Sequence, residues 1–278
     1  MRGILTAPLA ERPALLEDML RPVAGMFRYF PGEVDLVAMH HMGRGFRVDR
    51  EDARALPALD ALGEANAWER IDTALHHALA IQLKATPEIQ VRDIQVMIVL
   101  GDPADAHFMD VNLGMSANGG TSGYLWLNFW PTEENLARLD AVAVHELNHN
   151  LRYTNVRWDP ATVTVGEQVV SEGLADAFAR SIYGELGYTR IGFPSLHDDA
   201  VFDKVVANLG VTGMQNFAAW VHGDATAVRF GGTPVGLPTG AGYAVGNRLV
   251  DAYLAATGQT SPQALLVDAD EVIAIARS

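Results

Sequence analysis

Hydrophobic and polar positions change their period along the chain, and the changes mark out its elements. Ala14–Met26 has helical spacing broken at Pro22, and Phe27-Arg-Tyr-Phe-Pro31-Gly32 closes on a turn signal. Val34–Met39 and Gly45–Val48 read as short strand-like pieces around His40 and His41, which adjacent places on a strand would turn to opposite faces. Ala65–Lys84 predicts a helix with Trp68, Ile71, Leu75 and Leu79 on one stripe, and His76 and His77 have no ligand-type residue four places on. Ile94–Leu100 predicts a buried strand stopped by Gly101-Asp-Pro103. A glycine-rich stretch, Asn118–Gly123, leads into Tyr124–Trp130, where Leu125, Leu127 and Phe129 alternate with Tyr124, Trp126, Asn128 and Trp130. From these residues alone two readings stand: an aromatic face covered by other elements, or a sheet edge that receives an extended peptide.

Beyond Pro131 the period is that of helices. Thr132 is a suitable N-cap, with Glu133 and Glu134 well placed in the first turn. Leu136, Leu139, Ala143, Leu147 and Leu151 then form an apolar side roughly opposite His145 and His149. Val163–Tyr183 repeats the design, with Val170, Leu174 and Phe178 opposite Glu172 and Asp176, and Gly173 permits a close approach of these two helices. Asp199–Leu209, Thr212–His222 and Tyr243–Ala256 are further helices, and Gly231–Gly240 is either a mobile cleft rim or a long connection. There is no internal repeat and no low-complexity linker.

The chemistry gathers in His145-Glu146-Leu-Asn-His149. Residues four apart on a helix share a face, so both imidazoles can bind one zinc ion. Glu146, offset by roughly 100°, stands where a general base can take a proton from water on that ion. The chain has no cysteine, so any zinc is held by His, Asp or Glu. Glu172, 23 residues past His149 on its own helix, is the best third ligand, with Glu167 as runner-up. Asp176, one turn on, is positioned to accept a hydrogen bond from a ligand histidine and fix its tautomer. For the oxyanion of amide hydrolysis the candidate donor is Tyr243, with His222 and Arg248 behind it.

Composition narrows the class further. A chain of 278 residues with 49% hydrophobic and 19% charged residues builds a sizeable core. Its net charge of −14 disfavours nucleic acid as a partner. Met1–Leu20 lacks the apolar core of a signal peptide and no run reaches a membrane span, so the expectation is a soluble, cytoplasmic protein without a membrane partner.

His-Glu-x-x-His followed by Glu-x-x-x-Asp on a second helix resembles the gluzincin metallopeptidases. More closely, the chain resembles the bacterial YjaZ-type family of predicted zinc-dependent proteases. The resemblance rests on Gly123–Trp130, His145–Arg152, Ser171–Ala179 and Gly242-Tyr243-Ala-Val-Gly246, and spans about residues 90 to 260. It implies an α+β, zincin-like fold in which a small mixed sheet and the active-site helix pack on a mostly helical C-terminal lobe. It also implies one zinc ion per chain on His145, His149 and Glu172, with Glu146 as base and Asp176 behind a ligand histidine. The strand before the active-site helix becomes a substrate-aligning edge, which favours peptide binding at Tyr124, Trp126 and Asn128, and Tyr243 gains weight as a catalytic group.

The leading expectation is one domain in two lobes, about 1–132 and 133–278, acting as a zinc-dependent endopeptidase or oligopeptidase on a peptide or protein. A zinc-containing peptide-binding or regulatory protein with little or no turnover is the alternative, which an intact Glu146 disfavours. A zinc hydrolase of a non-peptide amide or of a cell-wall peptide comes third. The residues leave the natural substrate and the oligomeric state open.

Overall fold

The computed structural model describes residues 1–30 and 32–278. Helices α1 (Arg2–Thr6) and α2 (Arg12–Leu20) lead into a 3-10 segment, Arg21–Phe27, with Pro22 at its start. The turn signal at Pro31-Gly32 falls partly on Pro31, outside the described residues. Next comes α3 (Leu36–Met42), where the strand-like pattern of Val34–Met39 had pointed to a β piece. Local capping decides against the strand, because the Asp35 side chain accepts from the Ala38 N–H at 2.9 Å and starts a helical turn. His40 is fully buried there and donates from Nε2 to the Phe46 carbonyl at 2.8 Å. Gly45–Val48 makes only an isolated bridge, Gly45 to Gly101, and no strand.

Helices α4 (Ala55–Glu64) and α5 (Ala67–Ala85) follow. The buried stripe of α5 is Ala67, Ile71, Ala74, Ala78 and Gln82, one step round from the expected one, so Trp68 is partly exposed at 39%. The small side chains let α5 lie close along the helix that carries His145 and His149.

The sheet has three strands, β1 (Gln95–Leu100), β2 (Met115–Asn118) and β3 (Tyr124–Phe129), in the order β1-β3-β2. β3 pairs in parallel with β1, Gln95 opposite Tyr124 through Leu100 opposite Phe129, and antiparallel with β2, Met115 opposite Phe129. This corrects the expectation of a substrate-aligning edge at Tyr124–Trp130. The strand is central, and both its backbone sides are already hydrogen-bonded. Its aromatic face is covered as well: Trp126 packs edge-on to Phe27 and lies beside His40, the Tyr124 ring lies against Gly25, and the fully buried Asn128 donates to the Gly43 carbonyl at 2.7 Å. Tyr124, Trp126 and Asn128 therefore join the sheet to the N-terminal helices. The edge strands are β1 and β2, and of the two β2 lines the cleft described below.

The remaining helices build the site. The helix α6 (Glu133–Asn155) starts at Thr132, whose side chain accepts from the Asn135 N–H at 3.2 Å. α7 (Val165–Tyr183) starts the same way, Thr164 accepting from the Glu167 N–H at 3.0 Å, and stops at Gly184 with φ 59°. After α8 (Asp199–Val206), the helix expected over Thr212–His222 is two short pieces, a 3-10 turn at Met214–Asn216 and a π-turn at Ala218–His222. Gly213 (φ 100°) and Gly223 (φ 92°) bound them in conformations that interrupt a regular helix. α9 (Asp224–Arg229) precedes the Gly/Pro-rich loop. That loop is pinned: the Asp224 carboxylate accepts from the Val235 and Gly236 N–H groups at 2.8 and 2.9 Å, and Leu237 is buried. α10 (Ala241–Thr257) and α11 (Ala269–Ala276) complete the chain.

The apolar cores show how these pieces hold the site. One core joins the N-terminal helices to the sheet and to Leu139 and Ala143 of α6. Two others pack α7 against α10 and the C-terminal segments. A further core draws on both sides of position 132, joining Ala74 and Ala78 of α5 to Val144, Leu147 and Leu151 of α6, Phe178 of α7 and Leu265. As a result α6 is buried all round from Ala143 to Arg152, and its polar face is covered by α7 instead of solvent. Among the described residues no helix is long and apolar enough to cross a membrane.

Candidate metal centre

The packing of α6 on α7 brings the polar pairs of the two helices together. His145 Nε2 and His149 Nε2 lie 3.0 Å apart, and Glu172 Oε2 lies 3.2 and 3.1 Å from them. All three side chains are buried, and their donor atoms are close enough to bind one metal ion. The spacing suits zinc: ligand atoms about 2.0 Å from a tetrahedral ion are about 3.3 Å from each other. Two imidazole nitrogens and a carboxylate oxygen converging with little water are an electron-rich set that calls for a cation. The runner-up ligand Glu167 is used elsewhere, in a bidentate pair with the buried Arg152 at 3.0 and 2.9 Å.

Outer partners hold both rings with Nε2 facing inward. His145 Nδ1 lies 2.8 Å from Asp176 Oδ1. The Asp176 carboxylate, fully buried, also accepts from the Thr189 N–H (3.1 Å), the Thr189 hydroxyl (2.8 Å) and the Asn247 amide (2.7 Å). His149 Nδ1 lies 3.2 Å from Ser171 Oγ. Burial by itself would lower the pKa of His145, but Asp176 and Glu172 outweigh it and raise it well above the ordinary value. Burial works against the Glu172 carboxylate too, and His149 and His145 overcome it, holding Glu172 below the usual range.

Glu146 is also buried, beside the ligand cluster. Burial raises its pKa; the two histidines oppose that shift, Glu172 adds to it, and the Gly119 N–H facing the carboxylate opposes it. A carboxylate tuned upward in this way is suited to general-base work near neutral pH. The β2–β3 turn lies against the helix at this point. A Cβ on Gly119 would collide with the Glu146 backbone carbonyl, so only glycine fits this approach.

The cleft outside the ligands is walled by β2 and the residues just before it (Leu113, Met115, Ala117), by α6 (Val142, His145, Glu146) and by the Leu186–Ile191 segment, with His222 and Tyr243 at its base. The Tyr243 ring stands 6.4 Å from His145 and 5.6 Å from His222, centroid to centroid. Burial, and after it Glu172 and Glu146, raise the Tyr243 pKa well above its ordinary value, so the phenol keeps its proton. His222 is pushed down to about 4 by burial, has no partner at Nδ1, and is a neutral imidazole at pH 7. Arg248 does not reach the site: it pairs with Asp199 at 2.9 Å and stacks on Phe202. His107 sits 3.3 Å from Thr226, outside the residues lining the cleft.

Several supporting residues were missed in the sequence. Asn150, next to His149 and 1% exposed, ties the β2–β3 turn to α6. Its Nδ2 lies 2.9–3.0 Å from the carbonyls of Gly119, Thr121 and Tyr124, and its Oδ1 accepts from the Gly123 N–H at 3.0 Å. Asn247 lies one helical turn past Tyr243, a spacing that offered a signal; Thr189 lies in a stretch without pattern. Gly173 does allow a close helix approach, but to α10: a Cβ there would meet the backbone of Gly246, and one on Gly246 would meet the Val169 carbonyl.

The chain is 29% identical over 235 residues to the uncharacterized protein YjfC of Bacillus subtilis (strain 168), covering 82% of this chain and 76% of that protein. No solved structure matches. Residues 71–274, which include every residue of the cluster, match the family described as "Predicted Zn-dependent protease (DUF2268)". The chain belongs to this family of predicted zinc-dependent proteases.

Proposed function

We propose that the protein is a zinc-dependent peptidase whose metal is held by His145, His149 and Glu172. The observation that carries this reading is the convergence of the three buried donor atoms, 3.0–3.2 Å apart, beside the buried carboxylate of Glu146 in a cleft. Zinc bound there supplies a Lewis acid that polarises a scissile carbonyl and makes water a stronger acid. Glu146 takes the proton from the attacking water and returns it to the leaving amine. Tyr243 keeps its proton and donates to the developing oxyanion, with the neutral His222 as a second polar group at the cleft base. Asp176 holds His145 in the tautomer that points Nε2 inward. The free side of β2, which borders the same cleft as Glu146, replaces β3 as the strand able to align an extended substrate backbone.

The test is mass-spectrometric analysis of a diverse peptide mixture after incubation with zinc-loaded protein and, in parallel, with Glu146→Gln. Cleavage by the wild type alone is expected, and the fragments identify the preferred residues. Equal cleavage by the variant would remove Glu146 from the mechanism.

A further inference from the structure

The two ligand histidines are held by chemically different partners. His145 leans on a carboxylate, Asp176. His149 leans on a hydroxyl, Ser171 Oγ at 3.2 Å, and that oxygen accepts in turn from the Tyr153 hydroxyl at 2.9 Å. Tyr153 is four residues beyond His149 on α6, and its ring stacks on the imidazole with centroids 5.9 Å apart and planes 12° apart. Ser171 is fully buried, on α7 immediately before Glu172.

We infer that Ser171 and Tyr153 are positioning residues that form a neutral relay fixing His149, with Nδ1–H donating to Ser171 Oγ and the Nε2 lone pair turned toward the metal; this rests on the zinc reading above. The Tyr153 hydroxyl occupies one lone pair of Ser171 Oγ, leaving the other for the imidazole N–H. Nε2 can ligate only in the tautomer bearing hydrogen on Nδ1, and the free lone pair of Ser171 Oγ accepts that hydrogen and holds the ring in place. The stacked phenol ring fixes the tilt of the imidazole at the same time. Charge explains why a hydroxyl serves here. The carboxylates of Glu172 and Asp176 already suffice to balance a divalent ion, and a third behind His149 would add buried negative charge before Glu146 is counted.

The experiment is zinc affinity by competition with a chromophoric chelator for the wild type, Tyr153→Phe, Ser171→Ala and the double variant, with thermal unfolding of each metal-free protein alongside. Tyr153→Phe keeps the stacking ring and removes only the hydroxyl. The relay predicts about a tenfold or greater rise in Kd for Ser171→Ala and a smaller rise for Tyr153→Phe. It also predicts that Tyr153→Phe adds nothing in the Ser171→Ala background, since Tyr153 acts through that oxygen. Unchanged zinc affinity in Tyr153→Phe, or losses that simply add in the double variant, overturns the relay even if the metal-free proteins are destabilised. If Ser171→Ala fails to fold, Tyr153→Phe decides alone. A wild type that binds no zinc overturns the metal centre itself, and the relay with it.

Discussion

The contact between α7 and α10 lets helix packing be tested through chemistry. Gly173 follows the proposed ligand Glu172 directly, and Gly246 is one turn beyond Tyr243. In Gly173→Ala the new methyl would sit roughly 1 Å inside ordinary contact with the Gly246 carbonyl and 2.9 Å from Val250 Cγ2. The obstacle is backbone, so α10 must move as a body by about 1 Å. Overpacking of this kind costs about 1–3 kcal/mol, and the better helix propensity of alanine returns about 1 kcal/mol. A net loss of about 1 kcal/mol lowers Tm by only about 2–4 °C in a chain of this size. The shift also carries Tyr243 and the Asn247 amide, which donates to Asp176 at 2.7 Å, away from the metal ligands. A misplacement of about 1 Å in catalytic geometry costs about 100-fold in rate. Peptide hydrolysis at 25 °C, with the folded fraction checked by circular dichroism, should show a fall in kcat/KM of about that size in a protein that is still folded. Wild-type kcat/KM, or a raised Tm, would refute the reasoning, because the alanine would then have been accommodated without moving α10.

Three further perturbations test other parts of the site. Asp176→Asn removes the charge behind His145 while keeping the shape, and should weaken zinc binding about 10- to 100-fold by chelator competition. Asn150→Ala leaves the carbonyls and the N–H of the β2–β3 turn without their side-chain partner and should cost about 2–4 kcal/mol in urea unfolding, with protection from hydrogen exchange lost first at residues 119–124. The metal-free protein should also lose stability as the pH falls below about 6.5, since His222 and His40 are held near 4 and 3 by burial. In that window the unfolded chain binds protons that the folded one refuses, so stability rises with pH. His222 alone accounts for about 3 kcal/mol between pH 6.5 and 4, and urea midpoints of His222→Phe should vary less with pH than those of the wild type.

What was legible in the sequence follows from how local each signal is. α6 and α7 each carry a helical period and a ligand-type pair four residues apart, and in α6 the Thr132 cap agrees with both. The convergence of His145, His149 and Glu172 rests on those cues, while the family and the α+β class drew also on the strand Gly123–Trp130 and on Gly242–Gly246. The alternation of Tyr124–Trp130 correctly indicated a strand, but alternation says nothing about neighbours. Its central place depends on β2, four residues long and without a clear pattern, and on N-terminal helices that cover Trp126. α3 was mistaken for a strand because a single capping bond from Asp35 outweighed a short β-like run. Asn150, Thr189 and Ser171 act through hydrogen bonds to groups distant in the chain, and no period marks such residues.

Zinc content tests the central claim most directly. Wild type, His149→Ala, Glu172→Ala and Glu146→Gln would be dialysed against the same buffered trace of zinc and their metal measured by mass spectrometry. The account predicts one zinc per chain in the wild type and in Glu146→Gln, with most of it lost from His149→Ala and Glu172→Ala. Full zinc in Glu172→Ala, or none in the folded wild type, would contradict it.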